Sequence, residues 1–365
     1  MIDHLHIKNF MCFKELNIPT LKRVNLIAGK NNAGKTTLLD AIRILKSDGD
    51  NAVVNHILNK RKVFIKGSKE SYNKLLNTNI ESDSIEFNKL RIDFFARHIG
   101  DRDRDYKKFR FSYSSKNDPF LSIEDDPIPT IKDPLLTGIP VFPKKSKPSE
   151  ELEKKILIDK ELHEIYNMKK WFDENILIIP PPENLVYVPF NSDFDTLSIL
   201  WEKVALTEYE QDVYQILQET IQPNLVRLNV GREIVNIKLE NNEKPVPLST
   251  LGDGVHRILL IALSLANAKD SILLIDELEL GLHYSALEKL WKMIFKYAQK
   301  WNIQVFTTTH SQDVLRTFHY VADDAKYIDD AQYTRLQINR KGENEAIIFD
   351  GKKLRETLDL QLEIR

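Results

Sequence analysis

Residues 23–38 run Arg23-Val-Asn-Leu-Ile-Ala28-Gly29-Lys30-Asn31-Asn32-Ala33-Gly34-Lys35-Thr36-Thr37-Leu38. The first six residues are a short apolar run, the pattern of a buried strand. Thr36–Leu45 then places Leu38, Ile42 and Leu45 at helical spacing. Between the two lies a glycine-bearing loop that fits G-x-x-x-x-G-K-[ST]. Triphosphate oxygens need many donors at once, and backbone N–H groups at a helix N-terminus supply them. Gly29, Asn31, Asn32, Ala33, Gly34, Lys35, Thr36 and Thr37 are therefore the candidate phosphate cradle. Lys35 adds a point charge on the β- and γ-phosphates, and the Thr36 hydroxyl is a candidate ligand for Mg²⁺.

Upstream of this loop, Ile2–Phe10 alternates apolar and polar residues as a half-buried strand does. Downstream, residues 47–184 read as an insertion. Within it, Ile85–Tyr113 is β-like and carries the mixed cluster Asp101–Arg110. Pro119–Pro148 holds seven prolines and reads as irregular, and Ser149 caps an expected helical arm running to Asn175. A globular pattern resumes at residue 185. It predicts strand Leu185–Val188, helices Thr196–Ala205 and Glu208–Ile221, and a hairpin over Val226–Leu239. Helix Val255–Ala268, strand Ser271–Ile275, helix Tyr284–Lys300 and strand Gln304–Thr308 follow. The tail adds paired strands over Tyr327–Phe349 and a short helix near Lys353–Leu360. The chain thus divides into 1–46, 47–184 and 185–365, an α/β fold with a mixed central sheet flanked by helices and an inserted α+β and helical arm region.

Composition narrows the classes. The 365 residues carry 52 Lys+Arg against 54 Asp+Glu, a formal charge of −2, so net charge offers no argument for nucleic-acid binding. The 42% hydrophobic share with 29% charged residues is that of a globular protein, not a disordered tail. A single cysteine, Cys12, leaves no internal disulfide framework and points to a reducing, cytoplasmic setting. The charged first residues do not resemble a signal peptide, and the longest apolar stretches are too short to cross a bilayer. Of only 12 glycines, five (Gly29, Gly34, Gly252, Gly254 and Gly281) fall in or beside the motifs.

Ile272-Leu-Leu-Ile-Asp276-Glu277 is the second chemical element. Four apolar residues followed by two carboxylates deliver acids from a buried strand to the rim of a sheet. Asp276 would hold Mg²⁺, and Glu277 would orient and deprotonate an attacking water. Thr307-Thr-Thr-His310 closes another apolar strand, where His310 could donate to a γ-phosphate.

The order loop, Asp-Glu pair, histidine resembles an ABC-type ATPase head of the group that includes structural-maintenance-of-chromosomes (SMC) heads and the OLD ATPases. The matching blocks are residues 25–42, Leu248–Ala266 and Leu273–Asp313, and within the group they resemble stand-alone ATP-binding proteins of prokaryotic defence. The resemblance implies ATP and Mg²⁺ as ligands, with Glu277, Lys35 and His310 catalytic and Thr36 and Asp276 on the metal. It also implies a signature loop at Gly252, Asp253 and Gly254, which meets nucleotide bound by a second copy in a head-to-tail dimer or higher homo-oligomer. The family serine is Gly252 here, so either Ser249 or Thr250 supplies the hydroxyl or backbone N–H groups suffice. His283, in the following loop, either reaches across the seam or caps a helix. Asn191 and Ser192 are the nearest candidates for a glutamine-loop role.

About 55 residues follow His310, too few for a Toprim nuclease domain, so the expected effector is a separate protein, such as a Toprim-type nuclease. The alternative is a DNA-repair head, with DNA contacted by Lys60–Lys69 or Lys107–Arg110.

Overall fold

The computed structural model describes residues 1–47, 53, 56–57, 91–98, 107–114, 120–124, 185–190, 194–231, 234–252, 254–350 and 353. The chain opens with β1 (Ile2–Phe10), β2 (Phe13–Ile18), β3 (Val24–Gly29) and α1 (Lys35–Lys46), then β4 (Arg91–His98), β5 (Lys107–Ser114) and β6 (Phe120–Glu124). After β7 (Leu185–Val188) come α2 (Phe194–Val204), α3 (Tyr209–Thr220), β8 (Leu225–Val230), β9 (Val235–Leu239), β10 (Val246–Pro247) and a 3₁₀ turn over Leu248–Leu251. The remainder is α4 (Val255–Asn267), β11 (Ile272–Ile275), α5 (Tyr284–Lys300), β12 (Gln304–Thr309), α6 (Gln312–Ala322), β13 (Ala331–Ile338) and β14 (Asn344–Asp350).

A six-stranded sheet in the order β14-β13-β3-β12-β11-β7 is the spine. Its neighbours are parallel except for the antiparallel pair β13–β14, so the sheet is mixed. β11 and most of β3 read as apolar runs because both faces are covered. β12 is buried throughout, although four of its six residues are Gln304 and Thr307–Thr309. Val24, Leu26 and Ala28 enter one core, with Val186, Val188, Leu273 and Ile275 and the apolar faces of α2 to α6. Ile27 points the other way with Leu185, Tyr187, Ile272 and Leu274, into a second core filled by α1 and by Leu5, Ile7 and Phe10 of β1.

That second core is closed by an antiparallel sheet, β2-β1-β4-β5-β6. Gln304 ties it to the spine, since its side chain accepts the Ile2 N–H at 2.7 Å and donates to Ile2 O at 2.6 Å and Lys22 O at 3.0 Å. Three of its strands come from the 47–184 segment, and β4 pairs directly with β1.

Among the elements that go beyond the sequence expectations are β2 and α6. Strand β2 pairs antiparallel with β1 and buries Phe13, Leu16 and Ile18. Helix α6 is capped by Ser311, whose side chain accepts the Asp313 N–H, and it buries Val314, Leu315, Phe318 and Val321. One expectation is corrected. The stretch after Pro119 is not irregular throughout, because Phe120–Glu124 is a strand paired with β5. The arm over Ser149–Asn175, the basic stretch Lys60–Lys69, and Asn191, Ser192 and Asp253 lie outside the described residues, as does the terminal helix apart from Lys353. Among the described residues no helix is long and apolar enough to cross a membrane.

Candidate functional site

Four parallel strands end on one edge of the central sheet, and their C-termini bring the sequence-predicted residues together. β3 delivers the loop 29–34, β11 delivers Asp276 and Glu277, β12 delivers His310, and β7 ends at Val188 beside them.

The loop enters α1 through Gly34, whose φ of +95° is a left-handed turn. A Cβ there would stand 2.6 Å from the Phe13 ring, so β2 forms the floor under the loop. No side chain caps α1 and its first turn holds no acid, which leaves the N–H groups facing the loop for an anion. The Lys35 ammonium donates to Gly29 O at 2.9 Å and Lys30 O at 3.3 Å. Burial pushes its pKa below the ordinary lysine range, while the fields of Glu277, Asp276 and Glu279 pull it back up. Asn344, on the β13–β14 hairpin, steadies the loop by donating to Ala33 O at 3.0 Å.

Asp276 is 2% exposed and is the hub of the site. Its Oδ1 accepts the Thr36 hydroxyl at 3.3 Å and the Thr308 hydroxyl at 2.6 Å. Thr308 Oγ1 in turn accepts the Glu277 N–H at 2.9 Å, and its carbonyl accepts the Leu278 N–H at 3.0 Å. Glu277 has φ +49°. A left-handed conformation costs a non-glycine residue about 1–2 kcal/mol, so the surroundings must hold it there. Arg257, from the first turn of α4, donates Nη2 to Asp276 O at 2.7 Å and to Glu277 O at 3.0 Å, and Nη1 to Pro189 O at 2.8 Å.

His310 lies 4.0 Å from Glu277 Oε1 and 3.3 Å from Glu279 Oε1 through Nδ1. Its main-chain N–H is also taken by Glu279, at 3.0 Å. Gly252 has φ +113° and open space where a Cβ would go, and Gly254 is packed on the loop after β11, where a Cβ would meet Gly281 O at 2.7 Å. Thr250 spends its hydroxyl on Pro247 O at 2.7 Å. His283 caps α5: its Nδ1 accepts the Ser285 N–H at 3.4 Å and lies 2.9 Å from the Ser285 hydroxyl.

Three contributors escaped the sequence reading: Thr308, Glu279 and the clamp by Arg257. Signals existed for two of them. Glu279 repeats the acid two residues after Glu277, and Arg257 is a cation inside a run of buried apolar residues in α4.

A phosphate-type loop after one parallel strand and paired carboxylates after another, on a mixed sheet, define an α/β P-loop ATPase fold. Residues 24–316 match the family described as "AAA domain, putative AbiEii toxin, Type IV TA system", and the chain belongs to that family. It is 26% identical over 362 residues to a Helicobacter pylori protein named ATP/GTP phosphatase, covering 92% of this chain and 91% of that one. Its fold is that of an SMC head. The structure titled "Crystal structure of the SmcHead bound to the C-winged helix domain of ScpA" matches with a TM-score of 0.55 at 12% identity, over 97% of this chain and 99% of that one.

Proposed function

We propose that this chain binds and hydrolyses ATP at the edge formed by β3, β11 and β12, and that a second copy completes each site. The carrying observation is that Thr36, Asp276, Thr308 and Glu277 form one hydrogen-bonded chain beside Lys35. The donor set suits Mg²⁺. Thr36 Oγ1 and Asp276 Oδ1 offer a neutral and an anionic oxygen 3.3 Å apart, and Mg²⁺ takes one or two protein oxygens while keeping waters and phosphate oxygens. Bound there, Mg²⁺ would neutralise charge on the β- and γ-phosphates. Lys35 and the N–H groups of the loop bind the phosphates, and Glu277 accepts the proton of the attacking water.

Enclosure of the γ-phosphate requires a further wall, because fixed donors act most strongly where water is excluded. The Gly252–Gly254 turn at the start of α4 is the part of this chain suited to supply that wall to a second copy. Like α1, α4 has no side-chain cap and no acid in its first turn.

The biological setting we infer is a cytoplasmic, prokaryotic anti-phage defence system of OLD-like type, in which this ATPase governs a separate effector such as a Toprim nuclease. The family description, which names a toxin of a type IV toxin–antitoxin system, supports a conflict role. The test is Mg²⁺-dependent phosphate release from ATP by the purified chain. Lys35→Ala should abolish both binding and release, and unchanged ATP affinity in that variant would overturn the assignment.

A further inference from the structure

We propose that Arg257 is a positioning residue for the hydrolytic step: it holds the Asp276–Glu277 peptide so that the Glu277 carboxylate stays aimed at the γ-phosphate position. This deepens, and rests on, the proposed ATPase reading.

The geometry assigns Arg257 no carboxylate partner. All three of its hydrogen bonds go to main-chain carbonyls: Pro189 at the end of β7, and Asp276 and Glu277 at the end of β11. The side chain is 7% exposed, and its Nε is buried without a partner among the described residues. Taking a guanidinium out of water costs free energy that carbonyl bonds offset only in part. Burial lowers its pKa to about 10, against the raising fields of Asp276 and Glu279. An apolar residue would serve packing better at this position, between the buried Val255 and the buried apolar run Ile258–Leu263, so the bonds it makes are the reason for its presence.

What those bonds hold is a left-handed glutamate. The carbonyls on both sides of Glu277 Cα are gripped by one Nη2, and the Glu277 N–H is gripped by Thr308 Oγ1. With φ at +49°, rotation back toward ordinary backbone would swing the carboxylate away. Released from Arg257, that rotation is downhill. The anchor itself is firm, because Gly254, just before α4, is packed against Gly281 O and Leu282. The start of α4 therefore grips the 276–282 segment at both ends.

The experiment compares Arg257→Gln with the parent, after the parent and Lys35→Ala have established whether ATP is hydrolysed at all. An inactive parent removes the ATPase reading and this inference with it; an active parent with a fully active Arg257→Gln removes this inference alone. We expect kcat to fall about 100-fold while affinity for Mg²⁺-ATP stays within about threefold, since binding and the chemical step use different groups. Arg257→Lys, which keeps the charge and reaches one carbonyl, should recover part of the rate and serves if the glutamine variant does not fold. The deciding measurement is single-turnover hydrolysis in the double variant with Glu277→Gln. If Arg257 works only through Glu277, the second substitution adds no further loss. Additive losses, or loss of nucleotide binding in both Arg257 variants, would overturn the proposal.

Discussion

Glu279, not Glu277, is the carboxylate that holds His310. Its Oε1 lies 3.3 Å from the imidazole Nδ1 and accepts the His310 main-chain N–H at 3.0 Å, whereas Glu277 Oε1 is 4.0 Å from the ring. With Nδ1 beside Glu279, Nε2 is the ring nitrogen left for another partner. Glu279→Gln keeps an acceptor for the main-chain N–H but loses the charge, and Glu279→Ala loses both. We expect kcat to fall about 10-fold in the first and about 100-fold in the second, matching the loss of one or two bonds to a charged group. Steady-state kinetics with parallel nucleotide-binding measurements check this; equal activity in the alanine variant would detach His310 from Glu279.

Glu277→Gln should retain Mg²⁺-ATP and hydrolyse it about 10²–10⁴-fold more slowly, the usual contribution of a positioned base. If a second copy completes each site, as proposed, a γ-phosphate that stays uncleaved keeps the two copies joined, so the variant should accumulate as an ATP-bound dimer. Light scattering with and without ATP and Mg²⁺ reads the mass directly.

The depressed pKa of Lys35 fixes the sign of two pH effects. Burial is the leading cause, so the folded chain releases this proton at lower pH than the unfolded chain does. Affinity for ATP should therefore decline on the alkaline side before an ordinary lysine would titrate. Stability of the nucleotide-free protein should rise slightly over the same window, because the unfolded state there binds more protons. Titration calorimetry and denaturant melts across the alkaline range separate the two trends.

Thr308 joins Asp276 to the Glu277 main chain through a single hydroxyl. Thr308→Val preserves shape but leaves the Glu277 N–H without its acceptor and Asp276 Oδ1 with only the longer bond from Thr36. An unsatisfied group costs about 1–3 kcal/mol. Thr308→Ser keeps the hydroxyl and loses one methyl, so it should stay within about 1 kcal/mol of the parent. Chemical denaturation of the pair decides whether the hydroxyl or the methyl matters.

Much of this arrangement could be read from the chain because the central strands are buried on both faces, and their apolar runs end at once in chemically distinctive residues. Ile272–Ile275 followed by Asp276 and Glu277 is legible without any knowledge of neighbours. Phe13–Ile18 places its apolar residues at 13, 16 and 18 without strict alternation, and Gln312–Ala322 has its cap at Ser311, yet both are short and lie beside louder motifs. What sequence could not show is pairing across distance. Thr308 looks like one more strand residue until Asp276 and the Glu277 N–H stand on either side of it. Gln304, at the other end of the same strand, is a polar residue on a buried position until Ile2 is seen beside it. Glu277 carries no local mark of its left-handed backbone, since that conformation is imposed by Arg257 and Thr308 from other elements.

If each site is shared between copies, two defective variants should repair one another. Lys35→Ala removes the phosphate charge, and Gly252→Glu places an acid in the turn offered to the partner. A side chain at position 252 would enter open space, but φ +113° with ψ 160° is a conformation held almost only by glycine, so the second variant should fold at a cost of about 1–3 kcal/mol in backbone strain. Each alone is expected to be inactive. In an equimolar mixture half the dimers are mixed, and in a head-to-tail dimer each of those keeps one intact site of two, combining the P-loop of one variant with the turn of the other. The mixture should therefore recover about a quarter of the parent rate once subunits have exchanged. Phosphate release that stays at the level of the separate variants would show that the Gly252–Gly254 turn does not serve a neighbour's nucleotide.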